Sequence, residues 1–359
     1  MDREKKFSTH FDPVEVLPLA GQVRGLCEAL NALPVQPSLI RGLEQELVEQ
    51  SIHASAAMAG NPMRLDEVRE CLSEQGAQPE DPAGPTVARA RREIANLGLA
   101  YAPLPKERTK TGVFGVSDGF LRKVHAVMVQ GTVPGGMGEF VPDAENPVLA
   151  LVTRINGQDM SGLEQAVRAG IFHFHLYRLQ PFATGTGRVA RFFESSILAV
   201  GGYRFACLMQ PLYYRRHMDD YLRYFPSPDQ QPPLKDSLTE FLVFMLQGLR
   251  ENLEQIREQL HSPLRRLALA ERFRVLAEDR RINRRTHDLL LLLLDRETDP
   301  ETGAPLPFLL KDLFLKQPYK LLYNDVSEHT ARRDLNRLLE LGLLTKDGTS
   351  YFFQHRCLG

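Results

Sequence analysis

The sequence predicts a mainly α protein, with a large helical core and a small C-terminal domain. Three observations carry that prediction. Apolar residues recur at helical spacing along most of the chain, as in Leu39, Ile40, Leu43, Leu47 and Ile52 and again in Leu242, Leu246, Leu249, Leu253, Ile256 and Leu260. Strand-like patterning is confined to the end, where Asp347-Gly348 precedes β-prone Tyr351-Phe352-Phe353 and reads as a hairpin turn. Near the middle, Gly185-Thr186-Gly187 turns the chain between two apolar helical stretches.

With 359 residues the chain can build two or three cored domains. Its charged share of 25% and hydrophobic share of 43% are those of a globular domain rather than a disordered or fibrous one. A formal net charge of −1 excludes nucleic-acid binding through bulk charge, while leaving room for a local basic face. Cys27, Cys71, Cys207 and Cys357 have no paired spacing, so reduced thiols are expected and a metal site is not. No apolar run follows the charged start Met1-Asp2-Arg3-Glu4-Lys5-Lys6, and the longest, Leu289 to Leu294, is too short to span a bilayer. The expectation is a cytoplasmic protein with no membrane partner.

Taken in order, residues 1–36 read as an N-terminal extension with a short helix near Leu19 to Leu33. A helical core then spans 37–260. Its first helix runs from Pro37 to Ser55 and stops at Gly60-Asn61. Gly76 to Thr86 has loop composition. Helices are expected over Val87–Leu99, over Ser117–Gln130 with Ser117 as N-cap, and over Asn146–Ile155 and Ser161–Tyr177. Four glycines and two prolines in Gly131–Pro142 leave no room there for two paired strands. The tyrosine-rich Met209–Phe225 reads as a helix whose rings pack in the core. A long helix follows from Lys235 to Leu260. Its apolar stripe packs on the core or on a second subunit, which makes a homodimer a candidate. Residues 261–281 read as a basic helical linker. In 282–359, helices are expected over Arg284–Asp295, over Leu309–Lys316 and from Ser327.

The chemistry-bearing stretch is Gln180 to Arg191, Gln-Pro-Phe-Ala-Thr-Gly-Thr-Gly-Arg-Val-Ala-Arg. A Gly-x-Gly turn opening into a helix aims unpaired backbone N–H groups one way, with the helix dipole behind them. Arg188 and Arg191, three residues apart, share one side of the first turn and can add charge-assisted bonds to a phosphate. The plainer reading is a helix-loop-helix corner with two surface arginines.

In context this stretch resembles the Fic (Fido) family, whose members transfer AMP from ATP to protein hydroxyls. The family signature is His-Pro-Phe, any residue, Asp or Glu, Gly-Asn-Gly-Arg, two residues, Arg. Pro181, Phe182, Gly185, Gly187, Arg188 and Arg191 match it in register, and Ala169-Gly170-Ile171-Phe172-His173-Phe174 is similar to the helix that leads into it. Glu93-Ile94-Ala95-Asn96 also resembles a family segment. The resemblance implies a mainly α Fic-like core in which Arg188 and Arg191 hold the β and γ phosphates.

Three positions depart from the signature. Gln180 stands where the family has its general base, Thr184 where it has an acidic Mg²⁺ ligand, and Thr186 where it has a phosphate-contacting Asn. Gln takes no proton at neutral pH, and Thr is a poor ligand for a hard cation. In many Fic proteins a segment like 55–61 carries an inhibitory Glu that pairs with the second motif Arg; Ala59 stands at that place. His173 and His175 are alternative bases, but they lie roughly 200° apart around a helix and cannot both face the turn.

The C-terminal stretch Ser327-Glu-His-Thr-Ala-Arg-Arg-Asp-Leu-Asn-Arg-Leu-Leu339 resembles the recognition helix of bacterial winged helix-turn-helix regulators. The resemblance implies DNA contacts from Thr330, Arg332, Arg333 and Arg337. Such domains also serve as protein-interaction modules. The expectation is therefore a catalytically degenerate Fic-like protein, a regulator binding DNA or a protein partner. Gly185, Thr186, Gly187, Arg188 and Arg191 remain an anion or nucleotide site. No cofactor is required, and ATP or another phosphate ligand would bind without Mg²⁺. The competing expectations are an adenylyltransferase with altered chemistry and an interaction scaffold.

Overall fold

The computed structural model describes residues 7, 9–74, 85–102, 115–133, 135–225, 237–295 and 306–354. The expected loop at 76–86 falls almost wholly outside these, as does Cys357. The chain divides into two compact units, Met1–Arg257 and Glu258–Gly359.

The first unit is helical: α1 (Pro13–Asn31), α2 (Pro37–Ala57), α3 (Leu65–Ser73), α4 (Pro85–Tyr101), α5 (Asp118–Val129), α6 (Glu145–Ile155), α7 (Gln158–Ser161), α8 (Gln165–Leu179), α9 (Thr186–Val200), α10 (Ala206–Arg216), α11 (Met218–Arg223) and the start of α12 (Ser237–Glu278). Its centre is the pair α8 and α9. Both are buried along nearly their whole length, which is why their apolar residues run all round rather than along one stripe. The polar groups on them are paired. The His173 imidazole bonds to the Glu194 carboxylate through Nδ1 and meets the Tyr221 hydroxyl at 2.9 Å through Nε2, while the Tyr214 hydroxyl donates to Glu194. His173 is therefore a structural residue with both ring nitrogens engaged.

The N-terminal stretch is part of this unit rather than an appendage. The Asp12 N–H donates to Thr239 Oγ1, and Arg24 and Asn31 donate to the carbonyls of Gly201 and Gly202. Ser117 caps α5 by accepting from the Phe120 N–H. The segment 131–142, apart from Pro134, contains turns and no strand, and the Val141 N–H donates to Pro181 O at 2.9 Å. Leu242, Leu246 and Leu249 are buried, so this stripe packs within its own chain.

The second unit corrects the sequence expectation in two places. The expected linker 261–281 is helix to Glu278, and its Leu269, Phe273 and Leu276 belong to this unit's core. The expected helix over Leu309–Lys316 is instead a short strand, β1 (Phe308–Leu309), and a single turn, α14 (Asp312–Leu315). The Asp312 carboxylate accepts from the Leu309 N–H at 3.0 Å, closing that turn locally, while Phe308 and Leu309 pair with a distant strand. Around these lie α13 (Arg284–Leu294), α15 (Lys320–Tyr323), α16 (Glu328–Glu340), β2 (Leu344–Asp347) and β3 (Ser350–Phe353). The strands form one antiparallel sheet in the order β1-β3-β2, and the hairpin turn between β2 and β3 is Gly348-Thr349, one residue later than expected, because Asp347 pairs with Ser350 as the last residue of β2. Among the described residues, no helix is long and apolar enough to cross a membrane.

Candidate functional site: an arginine-lined cavity at the α8–α9 turn

The turn between α8 and α9 opens onto a cavity of about 480 Å³, walled by the end of α2, one face of α4, Thr132-Val133 and the motif itself. Gln180 ends α8 in the left-handed region, with φ 45°, and its side-chain amide donates back to the Tyr177 carbonyl at 2.6 Å. Gly185 caps the start of α9 with φ +81°, a conformation that L side chains rarely adopt. At Gly187 the constraint is space, because a Cβ would lie 2.9 Å from Cε2 of Tyr177 and 3.2 Å from Nη1 of Arg191. Both glycines are thus required by the shape of the turn, and both leave backbone facing the cavity.

The arginines are not surface residues, which removes the plainer reading of this corner. Arg188 is 7% exposed and Arg191 is 3% exposed. Arg191 donates through Nε to Ser55 Oγ at 3.0 Å and through Nη2 to Ser55 O at 2.9 Å. Ala59, at the place of the expected inhibitory Glu, is exposed at the cavity lip, and among the described residues no ion pair engages Arg191.

Arg188 differs. Its Nη1 is bound to the Glu93 carboxylate on α4. Glu93 is held in turn by Asn61, whose amide donates to Glu93 Oε2 at 2.9 Å and to Ala90 O at 3.0 Å. Nε of Arg188 is buried without a partner among the described residues. Burial, aided by like charge from Arg191 and Arg89, pushes the Arg188 guanidinium down to about 10, so it stays cationic at neutral pH. The cavity therefore presents two further arginines, Arg89 and Arg191, around one internally compensated pair.

Of the three departing positions, Thr184 is exposed and its carbonyl meets His125 Nε2 at 3.0 Å, while Thr186 is buried with its hydroxyl 3.4 Å from Phe182 O. His125 is the residue that sequence reasoning missed. It stacks on Phe182 at 3.8 Å between ring centroids and accepts the Gly138 N–H at Nδ1, which fixes its neutral form with the proton on Nε2. Burial lowers its pKa. Its only sequence signal was a lone polar residue on the apolar face of α5, beside Leu121, Val124 and Met128.

A Mg²⁺ ion does not fit this donor set. Glu93 is the only carboxylate lining the cavity among the described residues, and both its oxygens are taken.

In the second unit, Arg332 is paired with Glu328 on its own helix, and Arg337 donates to the Arg281 carbonyl at 3.0 Å and reaches Glu340. Thr330 takes part in the Ser327 cap. Arg333 is exposed, opposite the buried Ala331, Leu335 and Leu338. Thr330, Arg333 and Arg337 thus share one side of the helix, while Arg332 lies roughly 100° around it from Arg333.

Solved structures share the helical architecture around the motif turn. A Fic family protein from Desulfovibrio desulfuricans G20 aligns over 95% of this chain and 96% of its own, with a TM-score of 0.50 and 17% identity. Fic-1 from C. elegans aligns over 69% of this chain and 73% of its own, with a TM-score of 0.55 and 16% identity. The fold is that of the Fic proteins. In sequence, the chain is similar to the protein adenylyltransferases Fic of Drosophila virilis and Drosophila erecta, with 24% and 23% identity over 190 residues, 49% of this chain. It spans only 38% and 37% of the length of those relatives. No family model matches the sequence.

Proposed function

We propose that this chain is a Fic-like regulator whose motif turn binds a phosphate-bearing ligand without turning it over, and whose C-terminal unit binds DNA. The observation that carries the first half is an anion cradle kept beside a base position without a base. Gly185, Gly187, Arg188 and Arg191 line the cavity, while the Gln180 amide is spent on the end of its own helix. Gln accepts no proton at neutral pH, and loss of a general base typically costs about 10²–10⁴-fold. The second half is supported by the order of elements, helices α13, α15 and α16 followed by the β2–β3 hairpin, which is that of a winged helix. Arg333 is the base-edge candidate.

Incubation with labelled ATP and Mg²⁺ tests the reading. Neither the wild type nor the Gln180→His, Thr184→Asp, Thr186→Asn triple variant should acquire label, because the described residues of 131–142 supply no strand on which a target peptide could pair. Labelled wild-type protein would make the chain an adenylyltransferase with altered chemistry, the activity for which its Drosophila relatives are named. Label in the triple variant alone would keep the residue argument and remove the docking one.

A further inference from the structure

Four of the six residues 280–285 are arginine, a run that the motif cavity does not use. Arg285 is already engaged: its guanidinium bonds to the Asp334 carboxylate at 2.7 Å and 2.8 Å and lies over the Tyr323 ring. Asn283 and Tyr323 bond the same carboxylate, so Asp334, 3% exposed, ties α16 to the start of α13 with both oxygens occupied. Arg280, Arg281 and Arg284 remain exposed around the turn between α12 and α13. With Arg333 and Arg337 of α16 they line a cleft of about 560 Å³ whose only carboxylate, among the described residues, is the engaged Asp334.

The charge of this cleft is poorly compensated. Among the described residues, no ion pair engages Arg280, Arg281 or Arg333, Arg284 reaches Asp288 only at 4.0 Å, and Arg337 alone has a close carboxylate, the exposed Glu340 at 3.1 Å. The backbone adds a second observation. Arg280 has φ +56°, a left-handed conformation at the end of a helix where glycine is the favoured residue. A bulky cation at a position that favours glycine is backbone strain of the kind that accompanies functional sites.

We propose that Arg280, Arg281, Arg284 and Arg337 form a clamp for the phosphodiester backbone of duplex DNA, set beside Arg333 on the outer face of α16. Guanidinium forks match phosphate oxygens in pairs. An exposed row spread over a helix end, a turn and a neighbouring helix suits successive phosphates of a backbone better than one enclosed ion. The inference rests on the reading of the second unit as a DNA binder, and it assigns the affinity to a corner that the helix sequence alone does not reveal.

The test is binding of a random-sequence duplex by the full chain, read by fluorescence anisotropy across a salt series. Log affinity against log salt should be steep for the wild type and should flatten by about 0.9 for each phosphate that is no longer neutralised. Arg281→Ala and Arg284→Ala should each flatten it by about that amount, and the corresponding lysine variants should not. Arg280→Gly is the sharpest arm, because it relieves the backbone while deleting the charge. Its melting temperature should hold or rise while its salt slope falls. Binding by the wild type with unchanged slopes in the alanine and glycine variants would overturn the clamp alone. No binding by the wild type at low salt would overturn the DNA reading itself. Binding of inorganic pyrophosphate in the cleft without duplex binding would replace the backbone by a free polyphosphate and also overturn the proposal.

Discussion

Arg188 and Glu93 are bound to each other inside the motif cavity, and Asn61 holds the carboxylate in place from its far side. The sequence leads one to expect an anion site freed by the absence of a Glu at Ala59. Among the described residues no carboxylate pairs with Arg191, but Glu93 of α4 supplies one to Arg188. An incoming phosphate would therefore compete with Glu93 for one of the two arginines, whereas the partners of Arg191 among the described residues, Ser55 and Tyr221, are neutral.

Glu93→Gln should accordingly tighten binding of inorganic phosphate by about tenfold, or about 1.4 kcal/mol, read by calorimetry. The same change leaves Arg188 buried without its counterion, a loss worth about 3–5 kcal/mol of stability. Phosphate should therefore raise the melting temperature of the variant more than that of the wild type. Weaker phosphate binding in the variant would mean that Glu93 positions Arg188 rather than competing for it.

Gly187→Ala places a methyl group 2.9 Å from the Tyr177 ring and 3.2 Å from Arg191. Overpacking of this kind costs about 1–3 kcal/mol. Chemical denaturation should register that loss, and phosphate affinity should fall with it because the methyl sits between the turn and Arg191.

Asp334→Ala removes the acceptor shared by Arg285, Asn283 and Tyr323. Breaking a buried pair of this kind costs about 3–5 kcal/mol. The loss should appear as faster proteolysis of the C-terminal unit. Asp334→Asn, which keeps an acceptor oxygen, should lose less.

His125 sets a pH dependence. Its pKa in the folded state is lowered by burial, so the unfolded chain binds this proton first as pH falls. Its contribution to stability is thus intact above the ordinary histidine range and declines as pH drops through about 6.5 and below. His125→Phe keeps the ring stack on Phe182 but leaves the Gly138 N–H and Thr184 carbonyl unmatched. It should be less stable at pH 7 by about 1–3 kcal/mol and show a shallower decline between neutrality and pH 5. An unaltered acid slope would show that His125 titrates freely.

Most helices of the first unit were legible because burial on one face writes itself into local spacing, and Ser117 marked the start of α5 through its cap. What was not legible depends on partners far away in sequence. Glu93 reaches Arg188 across 95 residues and His125 reaches Thr184 across 59, and no periodicity encodes either meeting. The strand at Phe308–Leu309 exists because Tyr351 and Ser350 come alongside, while its own residues read equally well as a helix. The glycines and arginines of the turn were legible through their spacing. Their burial was not, since it comes from α2, α4 and α5 closing over them.

The turn at Gly185 to Arg188 is proposed to bind phosphate through backbone N–H groups and arginines, without a metal. Calorimetric titration of the full chain with ATP, in the presence and absence of Mg²⁺, tests it most directly. Saturable heat of similar size and affinity is expected in both, lost in Arg191→Ala. Binding that appears only with Mg²⁺, or no binding in either condition, would contradict it.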